Sequence, residues 1–303
     1  MPGPEPLTKL QAWGEPQDRV TAPNSGNNLH LLGRVFVTVR KAPQLEHYFL
    51  NAWVQTARGD LQQLPLLEDT KTDDTVAYAW SKLGEWFTDL KQRIANYQND
   101  NTTGCDWAKY QIELFLPIDL LNQPIEQVTP EDEWGFPSPL GEEHRVVVRS
   151  ADRLEATYKA RKDWEEKWKK LRDVDVGQTC ATQHLLLANC SSDELGRLVK
   201  QQLMRPDVIG IRRSQPPEAN WKGGFLGAIL RAGLPVAAWV RCDVPDLDCA
   251  VELDHLITGK LTALPDRIFK ARQESKPIAQ HISLLWDDPT CLPTTVVNSP
   301  LIS

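Results

Sequence analysis

Ile282-Ser283-Leu284-Leu285-Trp286-Asp287-Asp288-Pro289 is an apolar run that stops on two carboxylates and a proline. Its short, unbroken apolar character is that of a buried strand, and the proline ends it, so the run delivers two acids to the carboxyl edge of a sheet. Three upstream stretches share the texture: His184 to Ala188, Val208 to Ile211 and Val236 to Val240. Helical patterns fall between them at Asp193 to Met204, Gly223 to Ala232 ending on Gly233, Pro245 to Ile257 and Pro265 to Gln273. The first of these opens with a capping box of Ser191 and Glu194. Short apolar strands alternating with helices imply a mainly parallel sheet covered on both faces.

Working outward, Arg34 to Arg40 is rich in β-branched residues, and His47 to Thr56 places Tyr48, Leu50, Ala52 and Val54 on one face. Together they predict an antiparallel hairpin. Apolar residues recurring at helical spacing from about Thr75 to Tyr97 predict an amphipathic helix on the sheet. Tyr110 to Leu116, halted by Pro117, predicts the next strand. A connection carrying Pro124, Pro130, Pro137 and Pro139 follows, and then a strand at Arg145 to Ser150. Ser150 is expected to cap one continuous helix on which Leu154, Tyr158, Trp164, Trp168 and Leu171 share a face. The fold class is therefore α/β, an N-terminal β-hairpin and helix leading into a mainly parallel sheet with helices on both faces. The organisation expected is a flexible leader at 1–28, an α/β half at 29–175 and a βα-alternating half at 176–303, the two halves sharing one sheet.

Composition narrows the function. The chain has 303 residues, 41% hydrophobic and 25% charged, with a formal charge of −7. This is a globular composition without the basic excess of a nucleic-acid binder. The six cysteines show no paired C-x-x-C spacing, which fits reduced thiols. No signal-peptide pattern or long apolar run is present, so the expected location is cytoplasmic, with no membrane partner. Eleven tryptophans suit half-buried layers and contact surfaces.

The chemistry on offer is modest. Strand ends in a parallel sheet would gather Arg149, Arg212, Arg241, Asp243, Asp287 and Asp288 on one rim. Asp243, Asp287 and Asp288 are the residues suited to a divalent cation, and the alternative is that the arginines pair with the acids and fix the loops. There is no G-x-S-x-G elbow and no P-loop at the glycine-rich run 221–227. His184 is expected to lie too far from Cys190 for a dyad. The six histidines lack zinc spacing, so no resident metal or cofactor is expected. The charged helix offers a second candidate surface, a docking face for a partner around Tyr158, Arg161, Trp164, Trp168 and Lys169.

Six segments in order carry a resemblance: Ala52-Trp53-Val54, Glu113-Leu114-Phe115-Leu116-Pro117, Val146 to Ser150 with Asp152-Arg153, the Trp164/Trp168 helix, Ala232 to Arg241, and Leu284 to Pro289. The order resembles the C-terminal domain of vWA-MoxR associated proteins, a module of bacterial NTP-dependent conflict systems. The resemblance implies a component working beside a MoxR-type AAA+ ATPase and a von Willebrand A protein, with effectors such as trypsin-like or caspase-like peptidases. It supplies no catalytic residue set. The reading that follows is a non-enzymatic adaptor of an anti-phage defence system. The alternatives are a metal-dependent enzyme acting on a nucleotide or phosphoester through the rim acids, and a substrate of the peptidase, cut in the leader or between Glu126 and Glu143.

Overall fold

Val35, Val37 and Val39 alternate along a strand with Phe36 and Thr38, so each face of that strand meets a different layer. The computed structural model describes residues 33–43, 46–56, 61–63, 78–99, 109–132, 134–176, 181–218 and 223–293. The leader expected at 1–28 lies outside them. Strands β1 (Gly33–Lys41) and β2 (His47–Thr56) form the expected hairpin, in which Phe36 faces Trp53. Two short strands, β3 (Leu61–Gln63) and β4 (Tyr78–Ala79), both pair with β2. On the other side β1 runs parallel to β5 (Tyr110–Leu116), and β5 parallel to β6 (Arg145–Ser150).

The second half supplies β7 (Leu185–Leu187), β8 (Gly210–Arg213), β9 (Val236–Val240) and β10 (Ile282–Trp286). All join one sheet in the order β3-β2-β1-β5-β6-β10-β9-β8-β7. β10 therefore lies inside the sheet, parallel to β6 and antiparallel to β9. Since β7, β8 and β9 are mutually parallel, they run opposite to β1, β5, β6 and β10. The sheet is α/β and mostly parallel, as the alternation predicts, with a reversal at its centre.

Helices cover both faces. One face packs Val35, Ile112, Val148, Leu285 and Trp239 under α1 (Leu83–Asn99), α5 (Ser192–Leu198) and α6 (Phe225–Arg231). The other packs Val147, Ala238, Ile282 and Leu284 under α3 (Arg161–Val176), α7 (Cys249–Ile257) and α8 (Leu264–Gln273). Single-turn helices α2 (Leu140–Glu143) and α4 (Ala181–His184) complete the set of described α-helices. The capping box of Ser191 and Glu194 is present at α5. Gly233 closes α6 with φ +60, and a Cβ there would sit 2.8 Å from the Trp164 nitrogen, so glycine lets α6 end against the start of α3.

Two expectations change. The first amphipathic helix begins at Leu83, with Trp80 in a preceding 3-10 turn and Val76 outside the described residues. The helix expected to run on from Ser150 is two elements, a 3-10 turn at Ala151–Leu154 and α3 from Arg161. The Ser150 side chain caps nothing, because its hydroxyl donates to Asp152 Oδ2 at 3.1 Å while that carboxylate also accepts from the Ile118 amide at 2.9 Å. Between Glu126 and Glu143, the internal stretch where cleavage is the alternative reading, Ser138 N donates to Pro130 O and Leu140 N to Val128 O.

Candidate functional site

Asp287 is the meeting point of four elements. Its amide donates to Pro235 O before β9, and its carbonyl accepts the Trp164 indole N–H of α3 at 2.6 Å. Its carboxylate takes Arg149 Nε of β6 at 3.0 Å on one oxygen, and the Ser150 amide and Arg153 Nη1, both at 3.2 Å, on the other. Arg149 continues outward to Glu113 Oε2 of β5 at 2.8 Å and to the carbonyls of Asp288 and Cys291. Glu113 also meets Arg34 Nη1 at 3.2 Å and Gln111 Nε2 at 2.8 Å. The result is an alternating chain, Arg34, Glu113, Arg149, Asp287, Arg153, across the sheet.

Burial sets the energetics. Arg149 and Arg153 are 0% exposed and Glu113 1%. Isolated charges at such depth would cost several kcal/mol each, so the network exists only because every charge has an opposite partner. Burial acts to lower the Arg149 pKa, and the field of Asp287, Glu113 and Asp288 overcomes it and raises it. Coulombic attraction to Glu113 leads the raising of Arg34. The guanidinium groups also stack on rings: Arg149 lies 4.4 Å from the Phe115 ring centre and Arg153 4.9 Å from that of Trp164. Asp288 turns the chain with its own side chain, accepting from the Thr290 amide at 2.8 Å and hydroxyl at 2.6 Å.

The predicted rim is divided by the reversal at β10. Arg149, Asp287 and Asp288 lie at one end of the sheet. Arg241 and Asp243 follow β9 at the opposite end, where Arg241 donates to Ser283 Oγ at 2.8 Å and Gln280 O at 2.7 Å and pairs with Glu126. Asp243 is exposed there. Arg212 of β8 donates to Thr182 O at 3.0 Å and pairs with Asp254 at 3.0 Å. No rim gathers all six residues, because β9 runs antiparallel to β10. Among the described residues no group of three or more His, Cys, Asp or Glu is arranged to hold a metal.

The docking helix is also rearranged. Trp164 and Trp168 point inward, 0% and 6% exposed, because they form the apolar face of α3. Trp168 stacks edge-on against Trp286. Tyr158 donates to Leu230 O at 2.8 Å, and Arg161 donates to the carbonyls of Arg153 and Glu155 at 2.9 Å. Lys169 alone of the five is exposed. Lys167, on the same helix, is buried and donates to Leu203 O and Ala232 O at 2.5 and 2.8 Å, joining the ends of two helical segments.

Sequence reading missed Glu113, Arg34 and Arg153. An acid between Ile112 and Leu114 in a strand buried throughout was the available signal, since such a group requires a partner. It also missed a thiol–imidazole pair, for Cys242 Sγ lies 3.1 Å from Nδ1 of His281, with Cys242 exposed on open surface. The cleft between α7 and α8 has a volume of about 240 Å³ and is lined by Glu252, His255, Arg267, Lys270, Glu274 and Lys276. Lys276 and Lys270 both pair with Glu274 there, at 3.1 and 3.8 Å.

No helix among the described residues is long and apolar enough to cross a membrane. The family model of the vWA-MoxR associated protein C-terminal domain matches residues 46–289, from the start of the hairpin's second strand to the proline after Asp288. No curated protein matches the chain.

Proposed function

The chain belongs to the vWA-MoxR associated protein C-terminal domain family, and from that premise we propose that it is a non-enzymatic adaptor of a bacterial conflict system. It joins a MoxR-type ATPase and vWA protein to an effector such as a trypsin-like or caspase-like peptidase. The family match over residues 46–289 is the observation that carries this reading. The use of the charged residues supports it: both oxygens of Asp287 are taken by Arg149, Arg153 and Ser150, and Glu113 is shared between two arginines. Such groups hold the sheet together and, ion-paired and buried at 0% and 1% exposure, present no open face to a substrate or a metal. A component of this kind acts through its surface.

The test is reconstitution from purified proteins. Mixed with the MoxR-type ATPase and vWA protein of its own system, the chain is expected to co-elute with at least one of them and to recruit the effector to that complex. A chain that elutes alone with every partner at micromolar concentration overturns the reading.

A further inference from the structure

Trp134 and Phe136 are 77% and 68% exposed, the two most exposed large apolar side chains among the described residues. They stand on a built loop. The Asp132 carboxylate accepts the amides of both Trp134 and Phe136, at 2.9 and 2.8 Å, while the Asp132 amide donates to Phe136 O at 2.9 Å. Gly135 between them takes φ +80, a conformation that a side chain would disfavour. Below the tip, Glu131 and Pro137 bridge, and the Glu131 amide donates to Thr88 Oγ1 of α1 at 2.9 Å. Two aromatics are thus held out into water on a turn that Asp132 pins through three hydrogen bonds. Large rigid aromatics on an ordered support lose little entropy on being buried, and residues of this type dominate interface energies.

We propose that the Trp134-Gly135-Phe136 tip is an aromatic plug that enters an apolar pocket with a basic rim on a protein partner. Glu131 and Asp132, immediately below it, set acidic groups at its base. These match lysine or arginine around a pocket and oppose the alternatives. An anionic membrane surface repels them, and a second copy of the chain brings a further formal charge of −7. The occupant is a protein of the same system that carries such a pocket, so this inference rests on the adaptor reading and gives that reading its contact point.

Isothermal titration of the full chain against each purified partner tests both. Trp134→Ala with Phe136→Ala removes only solvent-exposed groups and is expected to fold like the parent, with an unchanged unfolding midpoint. Its affinity for the partner should fall about 30-fold or more, the loss that marks a hot spot. Glu131→Lys should weaken binding several-fold at low salt and much less at high salt. Equal affinity of parent and double variant overturns the plug while leaving the adaptor reading intact, whereas a parent that binds no partner overturns both. Self-association of the parent, or its binding to anionic vesicles, that the double variant loses assigns the tip to another occupant and also overturns the plug.

Discussion

The indole nitrogen of Trp164 donates to the carbonyl oxygen of Asp287 across 2.6 Å, joining the helix α3 to the residue that follows the last strand. Both groups are fully buried. Trp164→Phe keeps most of the ring contact with Arg153 but leaves the Asp287 carbonyl without this donor. It is expected to cost about 1–3 kcal/mol, and Trp164→Ala about 3–5 kcal/mol through the added cavity. Urea unfolding of the three proteins measures this, and equal midpoints for Trp and Phe would show that the hydrogen bond contributes nothing net.

Arg149 bridges Glu113 and Asp287, so its removal leaves two buried carboxylates short of a partner. Arg149→Met is expected to destabilise the protein by about 3–5 kcal/mol. Adding Glu113→Gln should restore part of that loss, because the uncompensated charge disappears with the acid. A double-mutant cycle reads the coupling directly, and strictly additive losses would mean that the pair is not energetically linked.

Val236 to Val240 is a continuous apolar run and Ile282 to Trp286 is one but for Ser283, and the structure begins and ends both strands at those residues. Their relative direction was harder to see, although its cause is written in the chain. Two helices, α7 and α8, lie between β9 and β10. One crossover helix takes the chain back to the end of the sheet where β9 began, and a second returns it to the end where β9 stopped, so β10 enters antiparallel. The buried charges were hidden for another reason. Arg149 finds Glu113 36 positions away and Asp287 138 positions away, and local pattern carries no information over such separations. Trp164 and Trp168 shared a helical face as read, but a shared aromatic face is first of all a packing face, and here it is spent on the core.

Lys167 gives a pH signature. Burial pushes its pKa down to about 8 from 10.5, against the pull of Asp163 and Asp207. Between those two values the unfolded chain binds more protons than the folded one, so stability attributable to this group rises with pH across that window and is flat below it. Lys167→Met removes the titration and leaves the carbonyls of Leu203 and Ala232 without their donor. The stability of the parent relative to the variant should therefore increase from pH 8 to 10.5. A difference that stays level or declines over that range contradicts the assignment.

The thiols should separate by environment. Burial pushes Cys291 up to about 11 against the opposing influence of Arg34, so its thiolate fraction at pH 8 is on the order of 10⁻³. Burial also raises Cys190. Cys242 is exposed and lies beside Nδ1 of His281, which can take the thiol proton as the sulfur attacks an alkylating agent. Among the cysteines at positions 190, 242, 249 and 291, Cys242 should be carbamidomethylated first by iodoacetamide in the folded protein. His281→Ala should slow that reaction several-fold while leaving Cys249 unaffected. Peptide mapping over a time course ranks the sites; early labelling of Cys291 would mean that burial does not govern that thiol, and a Cys242 rate indifferent to His281 would mean that the imidazole does not activate this one.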